Sequence, residues 1–135
     1  MIVVDTNLIV NFVVESERTQ QAERVFARDP QWCAPLLWRS ELRNVLVLYV
    51  RHGLLSLEDT LGLMQRAETL MQAREYPVSS APVLNLAARS RCTAYDCEFV
   101  ALAQNLGVPL VTSDSQVLSA FPSEAVSVSA FGLTQ

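Results

Sequence analysis

A three-layer α/β fold, with a central parallel sheet of four or five strands flanked by helices, is what this sequence predicts. Three observations carry it. Short apolar runs such as "IVV" and "PLV" lack the strict alternation of a half-exposed strand, which suits strands covered on both faces. Segments of helical periodicity separate those runs. And 135 residues, half of them hydrophobic, suffice for one sizeable core but are short for two, so a single domain over 1–135 is expected.

The elements follow in order. Ile2 to Val4 reads as a buried strand running straight into Asp5, and "NLIVNFVV" after it suits a short helix. In "TQQAERVFARD", Ala22, Val25 and Phe26 share a helix face, and Pro30 stops the helix. "QWCAP" is a short second strand. A long helix runs from Leu36 to His52, closed by Gly53 in the position just past a helix end. Ser56 and Asp59 form a capping box opening a helix to about Arg74. "YPVS" reads as a strand, "APVLNLAARS" as a helix, and Thr93 to Leu106 as another, with Gly107 after it. "VPLVTSD" is the next strand and "AVSVSA" the last.

Composition narrows the function. The longest apolar run, "VLVLYV", has six residues and is far too short to span a bilayer. No basic region precedes the first apolar stretch, so no signal peptide is read and a cytoplasmic location is expected. Cys33, Cys92 and Cys97 are odd in number and lack C-x-x-C spacing, so they read as buried or free thiols. Net charge is −4 and all ten cations are arginine. Chemistry that needs a lysine is thereby ruled out, and an acidic chain is a poor general binder of nucleic acid.

Most of the fourteen acids lie in polar company; four do not. Asp5 and Asp114 each end an apolar strand and should emerge at the same edge of the sheet, where α/β folds gather ligands. Asp96 lies in the first turn of a helix whose apolar face carries Phe99, Val100 and Ala103. Glu41 shares a helix face with Leu37, Trp38, Val45 and Leu48, whereas Arg39 and Arg43 point to the far side. Singly, Asp5 and Asp114 could be helix N-caps, and Thr93 with Asp96 a capping box. Jointly they raise a charge problem: two bare carboxylates ~5 Å apart repel by about 3 kcal/mol at an effective dielectric of about 20. If the four converge, protons or a cation must neutralise them. Hard oxygen donors suit Mg²⁺ or Mn²⁺, which also bridge to phosphate and so answer the charge objection.

These residues resemble the PIN-domain nucleases, most closely the VapC-type toxins of type II toxin–antitoxin systems. "VVDTN", "SEL" and "TAYDCEFVALAQNLGVPLVTSD" carry the resemblance, which covers essentially the whole chain. It implies a PIN-like, Rossmann-related fold and a cytoplasmic endoribonuclease dependent on Mg²⁺ or Mn²⁺. It further implies a homodimer inhibited by a VapB-type antitoxin whose tail enters the active site. Matched by position, Asp5 and Asp96 would be the direct metal ligands, and Glu41 and Asp114 the remaining catalytic acids, acting directly or through water. Thr6 and Asn7 fall where the family supports the first acid, and Thr112 and Ser113 would line the rim.

The expected reaction is hydrolysis of an RNA phosphodiester by metal-activated water. Arg89 and Arg91 are candidate contacts for RNA or the antitoxin, with a solvated helix end as the equal alternative. Glu98, two residues past Asp96, falls toward the opposite side of the helix and reads as structural or rim. His52 suits a helix C-terminus, not catalysis. Trp32 and Trp38 read as core or dimer-interface aromatics, with stacking on RNA the alternative. Three rivals are a housekeeping PIN nuclease, a catalytically silent binding module, and a phosphotransfer or phosphatase domain. The last would want a lysine or a D-x-D motif, and Asn7 stands where the second acid belongs.

Overall fold

The computed structural model describes residues 1–133. Its elements are β1 (Ile2–Val4), α1 (Thr6–Val13), α2 (Thr19–Arg28), β2 (Trp32–Pro35), α3 (Leu37–Arg51), α4 (Leu57–Leu70), β3 (Glu75–Tyr76), α5 (Ser80–Ala88), α6 (Ala94–Leu106), β4 (Leu110–Thr112), α7 (Ser115–Ala120), β5 (Ala125–Ser127) and α8 (Val128–Leu133). The five strands form one sheet in the order β3-β2-β1-β4-β5, every pair parallel. Helices flank it, as the apolar strands required: β1, β2 and β4 are buried at every position.

Strand order fixes where a site can form. β1 pairs with β2 on one side, in register Ile2 with Trp32, and with β4 on the other, in register Val4 with Val111. The chain therefore leaves β1 in one direction and returns to its other flank, opening a crevice at the carboxyl ends of β1 and β4. Asp5 and Asp114 both stand there.

The core is largely aliphatic, with Trp32 and Trp38 fully buried in it. Neither is placed to stack on RNA or meet a partner; both are core. Phe12, Phe26 and Trp32 form an aromatic cluster with centroids 4.8 to 5.5 Å apart. Trp38 donates its Nε1 to Glu75 at 2.7 Å. Arg39 grips the same carboxylate at 2.6 and 2.9 Å and Glu68 at 2.5 Å. That network ties α3 to α4 and β3. The three cysteines are buried free thiols.

Three boundaries differ from the sequence reading. The helix expected to reach Arg74 ends at Leu70, because Arg74 folds back to donate to the Leu70 carbonyl at 2.7 Å and to that of Trp32 at 3.0 Å. Ala73 takes a left-handed φ of 67° in the turn between. The strand expected over "YPVS" is only Glu75–Tyr76, for Pro77 has no N–H to continue it. And "AVSVSA" is a strand only to Ser127, whose hydroxyl accepts from the Ala130 N–H and opens α8. Among the described residues no helix is long and apolar enough to cross a membrane.

Candidate active site

Local structure positions each acid. Asp5 is extended and caps α1, its Oδ1 accepting from the Leu8 N–H at 2.9 Å. Asp114 caps α7, accepting from Gln116 and Val117 at 2.8 and 3.2 Å. Thr93 caps α6 by accepting from the Asp96 N–H at 3.0 Å, which holds Asp96 in the first turn. The capping and site readings are thus compatible: a capping carboxylate keeps its remaining lone pairs for a ligand. Glu41 projects from the second turn of α3, and its neighbour Arg39 is engaged elsewhere, with Glu68 and Glu75.

All four acids line one cavity of about 580 Å³, together with Thr6, Asn7, Ser40, Asn44, Tyr95 and Thr112 over an apolar floor that includes Phe99, Leu110 and Val117. Two threonines brace the acids. Thr112 donates to Asp5 Oδ2 at 2.5 Å and accepts from the Asp114 N–H at 3.0 Å, so one hydroxyl serves both strand ends. Thr6 was expected to support Asp5; instead its hydroxyl donates to Glu41 Oε1 at 2.7 Å, because the first turn of α1 faces α3. Ser113, expected on the rim, is exposed and does not line the cavity, whereas Thr112 and Asp114 on either side of it do, as strand alternation requires.

The electrostatics follow from this crowding. Burial pushes the Asp5 carboxyl up from its ordinary 3.8 to about 6; the bonds from Thr112 and Leu8 oppose this, and the charges of Asp114 and Glu41 add to it. Glu41 is raised by burial, eased by Thr6 and raised again by Asp96. Glu98 is raised by burial and by Glu41. It is half-buried and stands within the field of the cluster, though it does not line the cavity.

No three of these groups are close enough to hold a metal ion jointly among the described residues. The donor set nonetheless suits a hard cation. It is all oxygen, its carboxyls repel, and Mg²⁺ or Mn²⁺ uses one or two carboxylates, keeping waters in its other positions.

The remaining candidates lie outside. Arg89 ends α5 and lines a smaller cavity of about 290 Å³ with Phe121 and Glu124; Arg91 is exposed. His52 ends α3, its Nδ1 2.7 Å from the Leu48 carbonyl oxygen. Leu48, expected on the stripe of Glu41, is 40 % exposed: the stripe that Leu37 and Val45 continue gives out there. Ser40, Asn44 and Tyr95 were not anticipated. Ser40 and Asn44 flank Glu41 one residue back and three on, and Tyr95 precedes Asp96; that spacing was the available signal.

Comparison with known proteins settles the family. The PIN domain profile matches residues 2–122. The chain belongs to the PIN-domain family. It is 32 % identical over 125 residues to Ribonuclease VapC3 of Pyrobaculum aerophilum, which covers 90 % of this chain and 95 % of that protein. The VapC-type resemblance carried by "VVDTN" and "TAYDCEFVALAQNLGVPLVTSD" is therefore borne out.

Solved structures share the PIN fold at lower identity. A crystal structure from Pyrobaculum aerophilum gives a TM-score of 0.77 at 17 % identity, covering 98 % of this chain and 93 % of that one. A toxin–antitoxin complex from Klebsiella pneumoniae gives 0.70 at 16 % identity, covering 95 % and 98 %. FitAcB from Neisseria gonorrhoeae gives 0.71 at 20 % identity, also covering 95 % and 98 %.

Proposed function

We propose that this PIN domain is the toxin of a type II toxin–antitoxin pair and an endoribonuclease dependent on Mg²⁺ or Mn²⁺. One observation carries the reading: four acids from four separate segments meet in a single cavity at the carboxyl edge between β1 and β4. Burial of Asp5 and Glu41 amid such repulsion is costly for a structural role. A ribonuclease name on a relative aligned over nine-tenths of the chain, and a toxin–antitoxin complex among the fold's neighbours, support it.

Each residue then has a task. Asp5 and Asp96 would hold the cation, and Glu41 and Asp114 would complete the acidic cluster beside it. Thr112 and Thr6 fix the rotamers of Asp5 and Glu41. A bound cation supplies neutralising charge, polarises the phosphate and lowers the pKa of water, a role that falls to it because no histidine lines the cavity. The partner is a VapB-type antitoxin, with a homodimer as the working unit in the cytoplasm.

The test is incubation of purified, antitoxin-free protein with total cellular RNA under Mg²⁺, Mn²⁺ or EDTA, beside Asp5→Asn and Asp96→Asn. Discrete fragments that need metal and vanish in both variants are expected. Cleavage that survives EDTA and both substitutions would sink the mechanism.

A further inference from the structure

The cavity has a feature that phosphate chemistry alone does not use. Of two tryptophans, three tyrosines and five phenylalanines, all but one are buried or half-buried. The exception is Tyr95, 61 % exposed on the first turn of α6 and a lining residue of the acid cavity. Its ring has no aromatic, cation–π or hydrogen-bond partner among the described residues. A lone exposed apolar side chain is ordinary on a surface. This one stands directly beside Asp96, where a phosphodiester would be held.

Charge explains why an uncharged contact is wanted there. The protein carries −4 overall, and no arginine lines the cavity among the described residues. The usual source of affinity for nucleic acid, pairing of cations with phosphates, is missing from the site. Every phosphate in RNA is flanked by two nucleosides, so a side chain next to the acids meets a ribose or a base. A phenol ring presents a flat face, and bases stack on such faces whatever their sequence. In a duplex those faces are already occupied by neighbouring base pairs.

We infer that Tyr95 is the base-stacking side chain of the substrate site: it receives an unpaired nucleobase adjoining the scissile phosphate. The inference rests on the ribonuclease reading above and deepens it. Tyr95 makes no contribution to holding a cation, so its loss weakens substrate capture while the chemistry persists.

The experiment compares wild type, Tyr95→Ala and Tyr95→Phe on a single-stranded oligoribonucleotide and on the same sequence fully paired, in Mn²⁺. Wild type is expected to prefer the single strand. Tyr95→Ala should raise KM roughly 5- to 150-fold with kcat little changed, the range expected for one stacked base. Tyr95→Phe keeps the ring face and should keep KM. Unchanged KM in the alanine variant overturns the inference, as does a phenylalanine variant as impaired as alanine.

A binding readout separates this inference from the nuclease reading. Trp32 and Trp38 are buried, so a Tyr95→Trp variant adds an exposed fluorophore at the site. Its emission, measured in Ca²⁺, should be quenched by the single-stranded oligoribonucleotide and not by the duplex. If wild type cuts no RNA, the nuclease reading fails while this quenching still decides the stacking. Absence of quenching at millimolar oligonucleotide overturns the stacking even if cleavage is robust.

Discussion

Replacing Asp5 with asparagine should stabilise the metal-free protein at neutral pH while it abolishes the proposed activity. The folded protein holds the Asp5 proton to about pH 6, whereas the carboxyl's ordinary value is 3.8. Between those values the folded state binds more protons than the unfolded chain, so stability falls as pH rises through that window and stays low above it. The gap corresponds to about 3 kcal/mol at about 1.36 kcal/mol per pH unit. Asparagine carries no charge to desolvate and is as good an N-cap, so the bond from the Leu8 N–H survives. One loss offsets part of the gain. Thr112 now donates to Asp5 Oδ2 and accepts from Asp114; facing an amide N–H₂ it would leave its own proton unpaired, at about 1 kcal/mol.

The net expectation for Asp5→Asn is about 2 kcal/mol of added stability at pH 7.5 in EDTA, fading to none or a slight loss near pH 4. Urea titration of both proteins at the two pH values measures it. A variant equal to or weaker than wild type at pH 7.5 would show that Asp5 is not held under electrostatic strain, and the argument for a cation-seeking site would lose its energetic basis.

Other outcomes follow from neighbouring contacts. Thr112→Val removes the donor that holds Asp5 down; in EDTA the carboxyl should rise further, so the fall of stability with pH followed by urea titration should extend to higher pH than in wild type, whereas an unmoved window would exclude Asp5 as the titrating group. Glu75→Gln breaks the carboxylate shared by Trp38 and Arg39 and should cost about 1–3 kcal/mol at pH 7 by urea titration. Arg39 and Trp38 hold Glu75 below its ordinary 4.5, so its contribution is present above that value and lost as pH falls through the lowered one; the two proteins should converge in acid. Ala73→Gly relieves a left-handed alanine and, after the added entropy of glycine in the unfolded chain, should raise stability by about 0.5–1 kcal/mol in thermal melts.

Much of this arrangement was legible because single physical demands wrote it. Strands buried on both faces must be apolar throughout, so "IVV" and "PLV" announced a covered parallel sheet, and strand-end acids then had one place to go. The illegible parts are those decided by two segments at once. The Thr6 bond to Glu41 spans 35 positions and depends on how α1 meets α3. The end of α4 was set by a side chain, Arg74, capping the Leu70 carbonyl against helical periodicity that would have run on. In "AVSVSA" the alternation suits a strand, and only the cap from Ser127 turns its second half into α8. Tyr95 stayed hidden for a different reason: whether an aromatic beside Asp96 packs inward or faces a cavity depends on which side of α6 meets the sheet.

The outer strands bear on how copies of this protein can meet. At one margin β3 offers two residues before Pro77, and at the other β5 offers three before the chain turns into α8. Neither provides a run of free backbone long enough for another chain to zip onto, the route by which exposed margins seed aggregates. Any contact between copies would therefore be decided by side chains and not by main-chain ladders.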